Sequence, residues 1–185
     1  MGNIIEALEG MFIPQSTRSG FFNSNPGSFK KTWNSKVMIG NKSYREVAEV
    51  LVFKDDKVYL RADKEITRIP GGSTDPDMSM EETCIHEARE EAHLLIKNIK
   101  YIGREVRDFK ACGWKPGRGD YTGGKVAYVF RAEFNGTYTG PVDPADVDEG
   151  MLTKGKWYSL DEAMKIVSSK LYKQAIEEYM NNITR

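Results

Sequence analysis

Cysteine is scarce in this 185-residue sequence, which contains only Cys84 and Cys112. The two lie far apart and do not form the closely spaced pairs that bind zinc. A framework of disulfides is therefore excluded as the source of stability. A reducing compartment, the cytoplasm, is the expected location.

Long apolar runs are absent as well. No segment approaches the roughly 18 apolar residues that a membrane-spanning helix needs, and the N-terminus lacks the apolar core of a signal peptide. Glu6 stands where a myristoylation signal starting at Gly2 would require Ser or Thr. We therefore expect no membrane partner.

Neither sign of charge is in excess, because 27 Lys and Arg residues balance 27 Asp and Glu residues. A protein that binds nucleic acid through its overall charge would carry a positive excess, so nucleic acid is not an expected partner. Hydrophobic residues make up 39% of the sequence, and there are 17 glycines. That content is normal for a globular protein and suffices for one domain with a core.

The first 40 residues differ from the rest. After a short N-terminal helix, residues 14–36 are rich in Ser, Asn, Gly and Pro, which favours an arm over packed structure. The arm carries Phe21, Phe22 and Trp33, and aromatic side chains in a loose segment usually pack against another surface. That surface would belong to the same domain or to a second subunit, which would make the protein a homodimer.

Residues 41–185 form one predicted domain. Alternating apolar and polar residues predict strands, and longer amphipathic stretches predict helices. The strands are predicted at 46–53, 58–61, 66–69, 99–109, 125–134 and 155–158, and the helices at 79–94 and 160–180. Strands mixed with helices in this order predict an α/β or α+β sandwich.

The predicted helix at 79–94 carries a group of glutamates. Ser79 is a suitable N-cap, and Glu82 completes a capping box. Glu87, Glu90 and Glu91 share one helix face because spacings of three and four residues bring side chains together. Carboxylates gathered in this way bind a hard cation such as Mg²⁺, but an acidic helix face is also often simply solvated. Spacing alone leaves both interpretations open.

The segment from Gly72 to Leu94 resembles the Nudix box, whose pattern can be laid on it without gaps. The matching positions are Gly72, Glu87, Ala88, Glu90, Glu91 and Leu94. The departures are Met78 in place of a Glu, His86 in place of the Arg and His93 in place of the closing Gly. The resemblance extends over about residues 41–182 and implies a Nudix-type α/β/α sandwich with a mixed sheet.

The resemblance also implies a metal site. Glu87, Glu90 and Glu91 would be the principal ligands of Mg²⁺ or Mn²⁺ and the candidate catalytic bases, and the carbonyl of Gly71 would complete the ligand set. His86 would orient a neighbouring Glu in place of the family's Arg, although its charge depends on pH. A further ligand is expected from an acidic loop, for which the candidates are Asp146, Asp148 and, first of all, Glu149.

Met78 and His93 would have smaller effects. Met78 removes one carboxylate from the edge of the site, which would weaken or alter metal use. His93 stands at the end of the helix, where its side chain would favour the negative end of the helix dipole.

The resemblance implies a small nucleotide-type substrate, namely a nucleoside diphosphate linked to another moiety. Residues 113–124 form the loop best suited to recognise it, since an aromatic side chain stacks on a base and cations hold phosphate. The candidate contacts are Trp114, Lys115, Arg118 and Tyr121 in this loop and Arg68 before the box, with Arg104, Arg107 and Arg131 on the flanking strands. An ordinary solvated hairpin loop is the competing interpretation.

Two other functions remain open at this stage. Met78 and His86 are compatible with a Nudix-fold binding module that has lost catalysis. The aromatic arm is compatible with an assembly protein for which the metal would be irrelevant. The sequence favours the hydrolase, and it does not identify the nucleotide or the attached moiety.

Overall fold

The computed structural model describes residues 36–63, 66–74, 78–112, 121–141 and 154–183. The strands are β1 (Lys36–Ile39), β2 (Lys42–Lys54), β3 (Lys57–Ala62), β4 (Thr67–Arg68), β5 (Gly71–Gly72), β6 (Leu94–Arg107), β7 (Gly124–Thr137) and β8 (Lys156–Ser159). The helices are α1 (Met80–Ala92), α2 (Phe109–Cys112), α3 (Leu160–Ile166) and α4 (Lys170–Ile183). Within these ranges, no helix is both long enough and apolar enough to cross a membrane.

Strand β2 is the centre of the sheet. It pairs in parallel with β7 and antiparallel with β1, β3 and β5, and the main strand order is β4-β3-β2-β7-β6. Residues 46–53 of β2 are all buried, which requires a covering layer on both faces of the sheet. The sheet is therefore mixed and lies inside the domain.

Helices cover the two faces of the sheet. Val47, Leu51 and Phe53 belong to a core cluster that also contains side chains of α3 and α4. Ala48, Val50 and Val52 point to the opposite face, because successive strand side chains alternate, and they share a second cluster with side chains of α1. This arrangement confirms the predicted α/β/α sandwich with a mixed sheet.

The prediction of one continuous C-terminal helix at 160–180 is wrong, because the structure has two helices there. Val167 ends α3 with extended backbone angles (φ −75°, ψ 129°), and its side chain is almost completely buried at 2% exposure. Ser169 precedes α4 and caps it, since its hydroxyl accepts a hydrogen bond from the Tyr172 N–H at 3.3 Å. A buried branched residue and a capping serine thus turn the chain between two helices.

The strands also differ from the sequence prediction in several places. Strand β6 begins at Leu94, directly after α1, and not at residue 99. Strand β1 pairs with β2 inside the range assigned to the N-terminal arm. The other residues of that predicted arm, 1–35, lie outside the described residues.

Helix α1 begins as the sequence predicted. The Ser79 hydroxyl accepts from the Glu82 N–H at 3.1 Å, and the Glu82 carboxylate accepts from the Ser79 N–H at 2.7 Å. The helix ends at His93, which has left-handed backbone angles (φ 54°, ψ 35°). A glycine commonly occupies this position because other residues are strained there. The chain therefore makes a left-handed turn at the position where the resemblance led us to expect a glycine.

We expect the His93→Gly variant to be more stable than His93→Ala by about 1 kcal/mol. Both variants lose the imidazole, but only glycine adopts the left-handed conformation without strain. Urea denaturation of the two variants measures the difference. Equal stability, or a more stable alanine variant, would show that the left-handed turn carries no strain at this position.

Candidate active site

The three candidate metal-binding glutamates of α1 are largely withdrawn from solvent. Glu87 is 6% exposed and Glu90 is 7% exposed, and Glu91 is half-buried. A solvated acidic face is therefore the wrong interpretation for Glu87 and Glu90. Carboxylates are costly to bury, so their burial requires compensating contacts.

Two of the glutamates contact the glycines of β5. The Gly71 N–H donates a hydrogen bond to the Glu91 Oε2 at 2.9 Å. The Glu87 carboxylate lies directly against the Cα atom of Gly72, where a methyl group would collide with it. The glycines thus allow the helix carboxylates to approach the backbone of this short strand.

The third glutamate is paired within its own helix. His86 Nε2 lies 2.8 Å from Glu90 Oε1, one helical turn further along the chain. The sequence analysis expected His86 to orient a neighbouring Glu without naming which one. In the structure, the Glu that His86 contacts is Glu90. This contact fixes the direction of the Glu90 side chain.

The donor groups near β5 suit a hard divalent cation. Glu87 and Glu91 approach adjacent residues of β5 from one helix, and Mg²⁺ and Mn²⁺ prefer carboxylate and carbonyl oxygens. The space above Gly72 holds a carboxylate because no Cβ atom fills it. Among the described residues, no group of three His, Cys, Asp or Glu side chains is placed to hold an ion. The fit therefore rests on donor chemistry and on the glycine cradle.

A cavity of about 630 Å³ opens beside this site. Gly71 and Glu91 lie on its wall, together with the predicted substrate contact Arg68 and with Arg107. Glu49, Lys125 and Tyr172 line it as well. The cavity thus joins the glutamate side of β5 to charged residues from β2, β6 and β7 and to a tyrosine from α4.

Glu49 is the most deeply buried charge of this cavity, with 4% of its surface exposed. Its Oε1 accepts a short hydrogen bond from the Lys125 ammonium. Its Oε2 lies 3.0 Å from Arg107 Nη1 and accepts from the Tyr172 hydroxyl at 2.6 Å. The buried carboxylate therefore has partners on both of its oxygens.

The partners of Glu49 determine its protonation. Burial would raise the pKa of Glu49, but the charges of Lys125 and Arg107, with the hydrogen bonds from Lys125 and Tyr172, outweigh it and lower the pKa to about 2. Burial raises the pKa of Tyr172 well above its usual value, and the Glu49 charge adds to this effect. At neutral pH the carboxylate is therefore ionised and the phenol is protonated.

Most of the predicted substrate loop lies outside the described residues. This holds for Trp114, Lys115 and Arg118, and also for the candidate metal ligand Glu149 and its neighbours Asp146 and Asp148. Their roles stay predictions.

The predicted substrate contacts that the structure describes do not all lie together. Arg68 lines the cavity, as does Arg107. Tyr121 is only 5% exposed, and the Lys36 ammonium lies 5.7 Å from its ring centre. Little of the Tyr121 ring is accessible for stacking on a base. Arg131 lies by a separate cavity near Tyr179.

The sequence analysis missed the group formed by Glu49, Lys125 and Tyr172. A signal was present, because Glu49 stands between the apolar residues at 47–48 and 50–53, and a charge is seldom fully buried unless it is paired. Its partners could not be read, since they lie 58, 76 and 123 residues away along the chain.

A comparison of the sequence with models of protein families identifies the family of this chain. The family model of the NUDIX domain matches residues 43–179, which is more than half of the 185 residues. The chain belongs to the NUDIX family. The matched range contains α1, β5 and the cavity residues, so the site described above lies within the family's domain.

The chain is also similar to solved structures. A NUDIX hydrolase from Nitrosomonas europaea is similar with a TM-score of 0.52 and 21% identity, over 75% of this chain and 90% of that chain. The MutT protein from Bacillus halodurans is similar with a TM-score of 0.49 and 20% identity, over 71% of this chain and 79% of that chain. No curated protein matches the chain. At such identities, the first likeness supports the fold and nothing finer.

We expect Glu49→Gln to lower the free energy of unfolding by about 3 kcal/mol at pH 7, because the folded protein lowers the pKa of Glu49 from 4.5 to about 2. A lowered folded pKa gives stability that is complete above the unfolded pKa and is lost as the pH falls through the folded value. The difference between variant and wild type should therefore shrink between pH 4.5 and about 2.

Urea denaturation across this pH range measures that difference. Glu81→Gln is the control, since Glu81 is an exposed residue of α1. A Glu49→Gln deficit that stays constant with pH would contradict the assigned charge state.

Proposed function

We propose that the protein is a metal-dependent hydrolase that cleaves the phosphoanhydride bond of a nucleoside diphosphate linked to another moiety. The observation that carries this proposal is the approach of Glu87 and Glu91 to the backbone of β5. That approach occurs beside a cavity of about 630 Å³. Membership of the NUDIX family supports the class of reaction.

The metal would be Mg²⁺ or Mn²⁺. Glu87, Glu90 and Glu91 would hold it with the carbonyl oxygen of Gly71, and Glu149 would add a ligand. When bound, such an ion neutralises charge on a diphosphate and lowers the pKa of a bound water.

Neighbouring groups of the protein would orient these ligands. The Gly71 N–H holds Glu91 by a hydrogen bond, and His86 holds Glu90. These contacts limit the rotation of two carboxylates. Carboxylates held in one orientation keep the reacting groups aligned, and misaligned groups would react more slowly. A glutamate of this group would also accept the proton of the attacking water.

Substrate recognition would involve the loop that precedes β7. Trp114 would stack on the base, and Lys115 and Arg118 would contact phosphate or the attached moiety. Arg68 would contact the diphosphate from the cavity wall, which it lines. Tyr121 would support the loop from its buried position, not stack on the base.

We expect hydrolysis of at least one member of a panel of nucleotide sugars, dinucleotides and nucleoside triphosphates, assayed with Mg²⁺ and with Mn²⁺. Glu91→Gln should lower kcat/KM by at least about 100-fold, because it removes a charged ligand while keeping its shape. Glu87→Gln serves as the blank.

Glu81→Gln is the matched control, since it makes the same change on an exposed turn of the same helix. Turnover that is unchanged in Glu91→Gln, or absent across the panel, would contradict the proposal. Ligand binding without turnover, equal in wild type and Glu91→Gln, would identify the binding module instead.

A second expectation concerns the glycines of β5. Gly72→Ala should fold normally but lose activity, because the new methyl group would push the Glu87 carboxylate, the mobile end of a side chain, out of place. Gly71→Ala should be destabilised, because its methyl group would collide with the backbone oxygen of Ala48, which cannot move away. Thermal unfolding and kcat/KM of both variants separate the two effects. Full activity in Gly72→Ala would mean that Glu87 has no role in turnover.

A further inference from the structure

Two cations stand directly opposite each other at the cavity wall. Arg107 ends β6 and Lys125 lies near the start of β7, and the antiparallel register pairs them. Like charges placed opposite on neighbouring strands repel. Their side chains are also only 10% and 15% exposed, so water screens the repulsion poorly.

Glu49 holds this pair together. Its Oε1 accepts from Lys125, and its Oε2 lies 3.0 Å from Arg107 Nη1. One negative charge is shared between two positive charges, and Glu105 adds a second carboxylate, 2.8 Å from Arg107 Nη2. Lys125 and Arg107 are thereby fixed as a pair, although neither would be stable alone at this depth.

The pair lies next to the proposed reaction site. Glu49 is the register partner of Gly71 across β2 and β5, and Gly71 donates its N–H to Glu91. Gly71 therefore lies between Glu91 on one side and Glu49 with its two cations on the other. Arg68 and Lys110 add positive charge to the wall of the same cavity, and Asp108 adds negative charge to it.

We propose that Lys125 and Arg107, held in position by Glu49, form a phosphate-binding site in this cavity. The inference rests on the proposed function, since the phosphate would belong to the diphosphate substrate. An ammonium has three N–H donors and a guanidinium has five. Arg107 Nε donates to Glu105, and its Nη1 donates to both Glu49 and Tyr172. A phosphate oxygen would therefore contact Arg107 at Nη2 and Lys125 at its ammonium, while both cations keep their carboxylate partners. Glu49 is a positioning residue in this arrangement, because it acts through the two cations.

Metal-free binding of inorganic pyrophosphate tests this site without catalysis. Isothermal titration of the full chain in EDTA should show binding by the wild type. Lys125→Met should weaken it about tenfold, because a charge-assisted hydrogen bond is lost. Lys125→Arg should keep most of the affinity, because it keeps the charge.

Lys97→Met is the matched control, since it removes the same charge from an exposed position of β6 and should leave the affinity unchanged. Lys110→Met is a second variant, because Lys110 lines the cavity from an exposed position and carries little risk to folding. It should weaken binding about threefold, as expected for a partly screened charge.

Three results would overturn the phosphate site: no pyrophosphate binding by the wild type, wild-type affinity in folded Lys125→Met, or an equal loss in Lys97→Met. If Lys125→Met does not fold, the site is rejected when Lys110→Met binds as tightly as the wild type. Hydrolysis is measured separately with metal. Activity without Lys125-dependent binding therefore rejects this site alone, and Lys125-dependent binding without activity rejects the hydrolase alone.

Discussion

The buried carboxylate of Glu49 connects four elements of the domain. It belongs to β2 and binds Arg107 of β6, Lys125 of β7 and Tyr172 of α4. Removing an ion from water costs several kcal/mol, and only close partners of opposite charge offset that cost. The strands and α4 must therefore come together correctly before Glu49 can be ionised in the interior.

This constraint also determines the shape of the site. The turn at Val167 brings Ser169 to the cavity, where its hydroxyl donates to Glu105 at 2.8 Å, and it places Tyr172 against Glu49. A single continuous helix would point these side chains elsewhere. The break that the sequence analysis missed is thus the feature that closes one side of the cavity.

The local parts of the site could be predicted from the sequence, and the long-range parts could not. The capping box at Ser79 and the face shared by Glu87 and Glu91 depend on residues three or four positions apart, and the structure confirms the box. The resemblance implied that Glu91 and Gly71 belong to one site, but the hydrogen bond from the Gly71 N–H to Glu91 was not predicted. The partners of Glu49 lie 58 to 123 residues away, and no periodicity reports such a contact. The helix break at Val167 was missed because a β-branched residue disfavours a helix only slightly, so the decisive influence was its burial in the core.

Stability alone does not account for the Glu49 network. An apolar group of similar size commonly stabilises a protein as well as a buried ion pair does, or better. The chain nevertheless places a carboxylate, an ammonium, a guanidinium and a phenol together on the sheet face that otherwise carries Val47 and Leu51. Within the described part of the chain, these groups meet at the wall of the cavity and beside the strand that Glu91 contacts. Holding the two cations in position before an anionic ligand arrives would explain a cost in stability at this place. Charges that are already positioned need little rearrangement when the ligand binds.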